Sequence, residues 1–317
     1  MMTFPKEGIN VLSLFDGISC GQVALERAGI KVNKYFASEV DKHAIKVTYK
    51  NYPDTIQLGD VREIQGKDLP KIDLLIGGSP CQGFSFAGKQ LNFDDPRSQL
   101  FFEYVRLKEE CCPRWFLLEN VNMKKEWLKV IDEKLGVVGI KINSALVSAQ
   151  NRVRWYWSNI DFDIPEDKGI LLKDIIGKYD GVYVVPRGTN KGGIKEYKGK
   201  SPCITTSAWQ HNFFIVNTDD EYVDRDKSHC IDASYFKGGN LNQYFNKSRR
   251  QLVFDKYGCS FRKFYVKECE ALQTLPIGYT EGISDSQAYK AIGNGWTVDV
   301  VAHIFSKLKE KLNAKMD

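Results

Sequence analysis

Asn10-Val11-Leu12-Ser13-Leu14-Phe15-Asp16-Gly17-Ile18-Ser19-Cys20-Gly21 decides the fold. The apolar run through Phe15 reads as a strand, and Asp16 to Gly21 reads as a small-residue turn. A helix is expected over residues 22–29, where Val23, Ala24 and Leu25 supply apolar contacts and Gly29 stands near the end. The rhythm then repeats. Residues 35–38, 55–58, 74–76 and 115–118 read as strands, residues 41–51 and 98–111 as helices, and residues 140–148 and 154–160 as two further strand-like runs. Strands alternating with helices at these spacings predict an α/β fold with a doubly wound, mostly parallel sheet. Just past the strand ends stand Asp16, Glu39, Asp60, Cys81 and Glu119. In such a sheet these positions share one rim, the edge where ligands bind.

The pattern changes after about Pro165. Short apolar segments, Tyr183-Val184-Val185 and Phe213-Phe214-Ile215-Val216, are separated by Gly, Asn and Ser turns. Residues 200–207 faintly echo residues 227–234, as two similar β-units would. Residues 181–258 hold twelve Lys and Arg against eight Asp and Glu, most of the net charge of +5. A basic, aromatic, turn-rich segment suits a lobe that reads nucleic acid, and a solvated β-rich lobe stays open beside that reading. Helical pattern returns at 266–274 and 298–312, the last helix packing back on the first domain. The expected organisation is a catalytic and cofactor-binding domain over 1–178, a smaller β-rich target-recognition lobe over 179–260, and a segment, 261–317, that returns to the first domain.

Composition narrows the class. With 317 residues, 43% of them hydrophobic, the chain can bury a sizeable core and a second lobe. It has no run of 18 apolar residues and no signal-peptide pattern, so a soluble, cytoplasmic protein without membrane contact is expected. The eight cysteines form no Cys-x-x-Cys pair and the four histidines are far apart, so neither a metal site nor a disulfide framework is expected.

Cys81 lies in Gly77-Gly78-Ser79-Pro80-Cys81-Gln82-Gly83-Phe84-Ser85, directly after a buried-strand pattern. Pro80 restricts Ser79, and the glycines allow close backbone approach to a ligand. On this segment alone, a presented nucleophile and a packed core thiol are both open. The strand, Gly-containing turn, helix and following acid make a mononucleotide-binding layout. Glu39 is placed to accept from two ribose hydroxyls and Asp60 from an adenine amino group. The glycines run Gly17-x-x-x-Gly21, not Gly-x-Gly-x-x-Gly. Asp16 at the turn disfavours a phosphate and tolerates a cation. S-adenosylmethionine, with a sulfonium, an ammonium and no phosphate, fits better than NAD, so an NAD-binding oxidoreductase is disfavoured.

Six ordered motifs carry a resemblance: Phe15-Asp16-Gly17-Ile18-Ser19-Cys20-Gly21, Pro80-Cys81-Gln82, Glu119-Asn120-Val121, Gln150-Asn151-Arg152-Val153-Arg154, Glu270-Ala271-Leu272-Gln273-Thr274-Leu275-Pro276 and Gly293-Asn294-Gly295-Trp296. Together they resemble the cytosine-5 DNA methyltransferase family over nearly the whole chain except about 180–258. Several stretches look like the mammalian de novo branch. Gln82-Gly83-Phe84-Ser85 and the chain's length look more like bacterial restriction-modification and phage enzymes.

The resemblance implies double-stranded DNA as substrate, S-adenosyl-L-methionine as donor and S-adenosyl-L-homocysteine as product. It implies Cys81 as the thiolate that adds to carbon 6 of a flipped cytosine, Glu119 as the donor to N3, and Arg152 and Arg154 as catalytic-site arginines. One of these would hold the base or its phosphate, the other would brace the loop. It implies cofactor contacts from Phe15, Asp16, Gly17, Ile18, Ser19, Cys20, Glu39, Val40, Asp60, Val61, Pro80, Asn294, Gly295 and Trp296. Residues 82–99 look like the family's closing loop. DNA contacts are expected from Gln82, Ser85, Gln90, Arg97, Arg187, Gln210, Lys237, Arg249 and Arg250. A monomer, with any cognate restriction endonuclease acting separately, is the expected state. The tRNA-acting branch of the family is the alternative, although its Cys-Phe-Thr is Cys81-Gln82-Gly83 here. An inactive DNA-binding regulatory paralogue is the other, although Cys81, Glu119, Glu39 and Asp60 are all present.

Overall fold

Seven strands form the main sheet of the computed structural model, which describes residues 7–79, 96–176, 183–184, 213–214, 221–223, 225–237, 241–255 and 261–313. In chain order the first part runs β1 (Ile9–Leu14), α1 (Cys20–Arg27), β2 (Val32–Ser38), α2 (Lys42–Asn51), β3 (Ile56–Gln57), β4 (Leu74–Gly77), α3 (Pro96–Cys111), β5 (Trp115–Val121), α4 (Lys125–Leu135), β6 (Ile140–Asn143), β7 (Val153–Ser158) and α5 (Lys173–Ile176). The strand order is β3-β2-β1-β4-β5-β7-β6. The first five strands are parallel; β7 runs antiparallel to both β5 and β6. The order reverses between β1 and β4, the switch point at which open α/β sheets bind ligands.

The central strands are apolar throughout because both faces are covered. Val11, Leu74, Ile76 and Leu117 face one core, shared with α1 and the C-terminal helices. Leu12, Leu14, Leu75, Phe116 and Leu118 face the other, with α3 and α4. Local signals set the helix ends. Asp41 caps α2 by accepting from the His43 amide at 2.9 Å, and Gly136 ends α4 in the left-handed region at φ 72.

The lobe contains β8 (Tyr183–Val184) paired with β9 (Phe213–Phe214), and a three-stranded sheet of β10 (Glu221–Tyr222), β11 (Leu252–Asp255) and β12 (Phe261–Lys263), with α6 (Leu241–Lys247) between β10 and β11. β12 lies past the expected lobe boundary at 260, yet it pairs with β11 because that strand's open edge needs partners. The chain returns through α7 (Val266–Leu272), α8 (Asp285–Asn294) and α9 (Val298–Asn313). As expected, α9 packs on α1, and Arg27 pairs with Asp299 at 2.6 Å. The sequence reading passes over α4 and α8. The first half of the expected echo, residues 200–207, lies outside the described residues.

Candidate active site

A cavity of about 600 Å³ opens at the switch point. Its walls come from the turn after β1 (Phe15, Asp16, Gly17, Cys20), the ends of β2 and β3 (Glu39, Val40, Asp60, Val61, Arg62), the β4–β5 edge (Gly78, Ser79, Glu119, Asn120), the start of β7 and the residue before it (Arg154, Arg152), and the end of α8 with the turn after it (Asn294, Gly295, Trp296). The rim expected from the strand ends is therefore assembled for Asp16, Glu39, Asp60 and Glu119. Ile18 and Ser19 do not line it. Both are buried, with the Ile18 carbonyl accepting from the Tyr279 hydroxyl and the Ser19 hydroxyl donating to Asp16. Pro80, Cys81, Gln82, Ser85, Gln90, Arg187 and Gln210 lie outside the described residues, as does the side chain of Arg97.

The turn after β1 is held by two acids. Phe15 and Ser19 both adopt left-handed backbone, at φ 58 and φ 56, a conformation non-glycine residues adopt where surrounding contacts enforce it. Asp16 accepts from the Tyr35 hydroxyl at 2.8 Å and from Ser19, and burial pushes its carboxyl up to about 6 despite those donors. Glu39 accepts from the amides of Gly17, Val40 and Asp41, each at 2.8 Å. A carboxylate has about four acceptor sites, so Glu39 keeps acceptor capacity beyond these three bonds. Asp60 is gripped by Arg62 through its guanidinium and its amide, and this holds its carboxyl down to about 2.

Glu119 and Arg154 form the chemical end of the cavity. Arg154 Nε lies 3.0 Å from Glu119 Oε1, an ion pair without hydrogen-bond alignment on that oxygen. A Cβ at Gly78 would stand 2.9 Å from Trp296 Nε1 and 3.2 Å from Glu119 Oε2, so the glycine lets the tryptophan and the acid close on the same point. The next residue, Asn120, donates to Ser79 Oγ at 3.1 Å and so ties β5 to the residue two positions before Cys81. Cys20 lines the same cavity, but burial pushes its thiol up to about 12, which keeps it protonated and unreactive.

Arg152 holds backbone carbonyls of separate segments. It is 3% exposed, and its Nη atoms donate to the carbonyls of Ile231, Gly293 and Gly295 at 3.1, 3.2 and 2.8 Å. Two neighbouring glutamines stand in the quoted motifs without a role assigned to them. Gln150 and Gln273 are fully buried and hydrogen-bond backbone on both sides of the same junction.

Among the lobe residues expected at DNA, Lys237 is exposed, with its ammonium 5.8 Å from the Phe236 ring centroid. Arg249 is engaged by Asp232 at 2.7 Å, and Arg250 is half-buried. Lys227, one of the lobe's positive charges, points inward to the carbonyls of Ala145, Ser148 and Ile170. Arg225 meets His229 Nδ1 at 3.2 Å, and burial, helped by that guanidinium, lowers His229 to about 4, so its ring is neutral. No metal-binding cluster occurs, and no helix is long and apolar enough to cross a membrane, among the described residues.

The C-5 cytosine-specific DNA methylase family model matches residues 9–310. The chain belongs to this family. The family uses S-adenosylmethionine as methyl donor. The chain is 31% identical to the type II methyltransferase M1.ScrFI of Lactococcus lactis subsp. cremoris, over 95% of this chain and 78% of that one. It is 37% identical to the orphan methyltransferase M.SPRI of Bacillus phage SPR, over 95% and 97%. The structure of the Entamoeba histolytica methyltransferase EhMeth shares the fold, with a TM-score of 0.67 at 17% identity over 98% of this chain and all of that one. The family membership carries the sequence-derived resemblance, and these relatives favour its bacterial and phage side over the tRNA-acting branch.

Proposed function

We propose that the chain is a DNA (cytosine-5)-methyltransferase acting on a cytosine flipped from double-stranded DNA. One observation carries the reading: a single cavity holds the Glu119–Arg154 pair at one end and the acids Glu39 and Asp60 at the other, with Ser79, two residues before Cys81, on its edge.

The residues fit S-adenosylmethionine. Val40, an apolar side chain 71% exposed, stands in the cavity wall beside Glu39 and Asp60, which suits an adenine ring against an apolar surface with its amino group and ribose facing acids. Phe15 and Trp296 add aromatic walls, and Asp16 supplies negative charge suited to a cationic donor. When bound, the cofactor supplies an electrophilic methyl group.

Carbon 5 of cytosine is a weak nucleophile, and the chain's residues act on that weakness. The Cys81 sulfur bonds to carbon 6 and pushes electron density to carbon 5. Glu119 provides the hydrogen bond or proton at N3 that accepts the accompanying charge, and Arg154 orients Glu119. Asn120 positions the Cys81 loop through Ser79. Once carbon 5 carries the methyl group, it loses its proton, the ring electrons re-form the 5,6 double bond and Cys81 departs. The same reading has a monomer working in the cytoplasm, with any cognate endonuclease a separate protein.

The test is methyl transfer from labelled S-adenosylmethionine to duplex DNA and, in parallel, to tRNA. Transfer to DNA alone, lost in Cys81→Ser, is the expected result. Target DNA carrying 5-fluorocytosine should trap a denaturation-resistant adduct, because fluorine cannot leave as a proton. An active enzyme that forms no adduct sinks the covalent mechanism.

A further inference from the structure

The lobe meets the cofactor wall backbone to backbone. A Cβ at Gly293 would overlap the Asp232 carbonyl carbon and the Ala233 nitrogen, so only glycine admits this approach. Arg152 Nη1 bridges the two sides, donating to Ile231 O at 3.1 Å and Gly293 O at 3.2 Å, while Nη2 holds Gly295 O at 2.8 Å. Gln150 accepts from the Ile231 amide at 2.8 Å and donates to Leu272 O at 3.1 Å. Gln273 donates to the carbonyls of Ile292 and Gly295 at 2.9 and 3.3 Å. The lobe segment is seated from its other end by Lys227, whose ammonium serves the carbonyls of Ala145, Ser148 and Ile170, and by Ser228, whose amide donates to Ala149 O at 2.8 Å. None of these Lys227 and Ser228 partners lines the cavity.

We infer that the seat of the recognition lobe sets the cofactor wall, with Arg152 as the positioning residue that joins them. A buried guanidinium whose donors are divided between Ile231 on one side and Gly293 and Gly295 on the other cannot follow a shift of one side without stretching bonds to the other. Those bonds are expensive to leave unmade in a buried setting. Displacement of residues 227–233 therefore moves Gly293 and Gly295, and with them the neighbouring Trp296. By linkage, a lobe settled on DNA tightens the cofactor site, and the bound cofactor steadies the lobe by the same factor.

The inference rests on the cavity being the S-adenosylmethionine site. The probe is S-adenosylhomocysteine, titrated by calorimetry into the full chain without DNA, with a thermal melt for each variant. Lys227→Met, remote from the cavity, is expected to melt cooperatively and bind the probe about five- to tenfold more weakly, with Lys227→Arg closer to the parent. Combined with Arg152→Lys it should bind no more weakly than Arg152→Lys alone, because the connection is already cut. A folded Lys227→Met that binds like the parent, or a double variant whose losses add, overturns the inference. If Lys227→Met does not fold, Arg249→Gln, which removes the ion pair on Asp232 Oδ2, decides: weaker binding supports the coupling, and parental affinity overturns it. A parent chain that binds no probe overturns the cofactor reading itself, a result distinct from the others.

Discussion

Arg154 and Glu119 reach each other from adjacent antiparallel strands, Nε to Oε1 at 3.0 Å, with side chains only 15% and 10% exposed. A buried pair of this kind does more to orient than to stabilise, because desolvation offsets most of the attraction. Removing one partner is another matter, since the survivor is left charged and unpaired.

Arg154→Met should therefore cost about 3–5 kcal/mol of stability, and adding Glu119→Gln should restore most of it. Activity should remain lost in the double variant, because the amide that replaces the Glu119 carboxyl is a weaker proton source at N3. Urea melts and transfer assays on the two single variants and the double check this. A double variant as unstable as Arg154→Met alone would show that the ion pair is not what Arg154 contributes.

Asn120→Ala removes the amide that holds Ser79 Oγ at 3.1 Å. Ser79, two residues before Cys81, then loses this tie while Glu39 and Asp60 stay in place. Turnover should fall by up to about a hundredfold, the scale of a 1 Å misplacement, with S-adenosylhomocysteine affinity within about twofold of the parent. An equal loss in affinity would place Asn120 in the cofactor site instead.

Asp16 predicts a pH signature. Its carboxyl titrates near 6 in the folded chain and near 3.8 when exposed, because burial disfavours the charge and Glu39 is a like charge nearby. Between those values the folded state keeps a proton that the unfolded chain has released. Stability is thus greatest with Asp16 protonated and is lost as pH rises through about 6. Asp16→Asn removes this loss. Its stability advantage over the parent should be larger at pH 7.5 than at pH 5 by roughly 1–2 kcal/mol. Denaturant melts giving the same difference at both values would mean that Asp16 does not carry a proton at pH 5.

Grafting residues 180–258 onto a relative of known specificity should transfer the recognised DNA word, since phosphate contacts position and base contacts specify. The graft carries Lys227 and Ile231, so the recipient must present the equivalents of the Ala145 and Ser148 carbonyls and of Arg152 to seat it. Sequencing of methylated sites reads the outcome. An active chimera that keeps the recipient's word would move recognition out of this lobe.

The order of the strands' chemistry was legible in the sequence because apolar runs predict strands and a parallel sheet puts their ends on one rim. Asp16, Glu39, Asp60 and Glu119 could be placed together without coordinates for that reason, and the motif order was enough to point to the family. Roles that depend on which side chains meet were not legible. Arg152 and Arg154 are two apart and look equivalent in sequence. Only the packed chain separates them, giving Arg154 the Glu119 carboxylate and Arg152 the carbonyls of Ile231, Gly293 and Gly295. Lys227 likewise counts as a basic residue of the lobe by composition and becomes an inward brace once three carbonyls converge on its ammonium. Local pattern specifies an element and its exposed end, because periodicity and turn chemistry act over a few residues. Partners of a buried polar group come from distant segments, as Gly295 does for Arg152 from 143 residues away, and only the tertiary fold decides them.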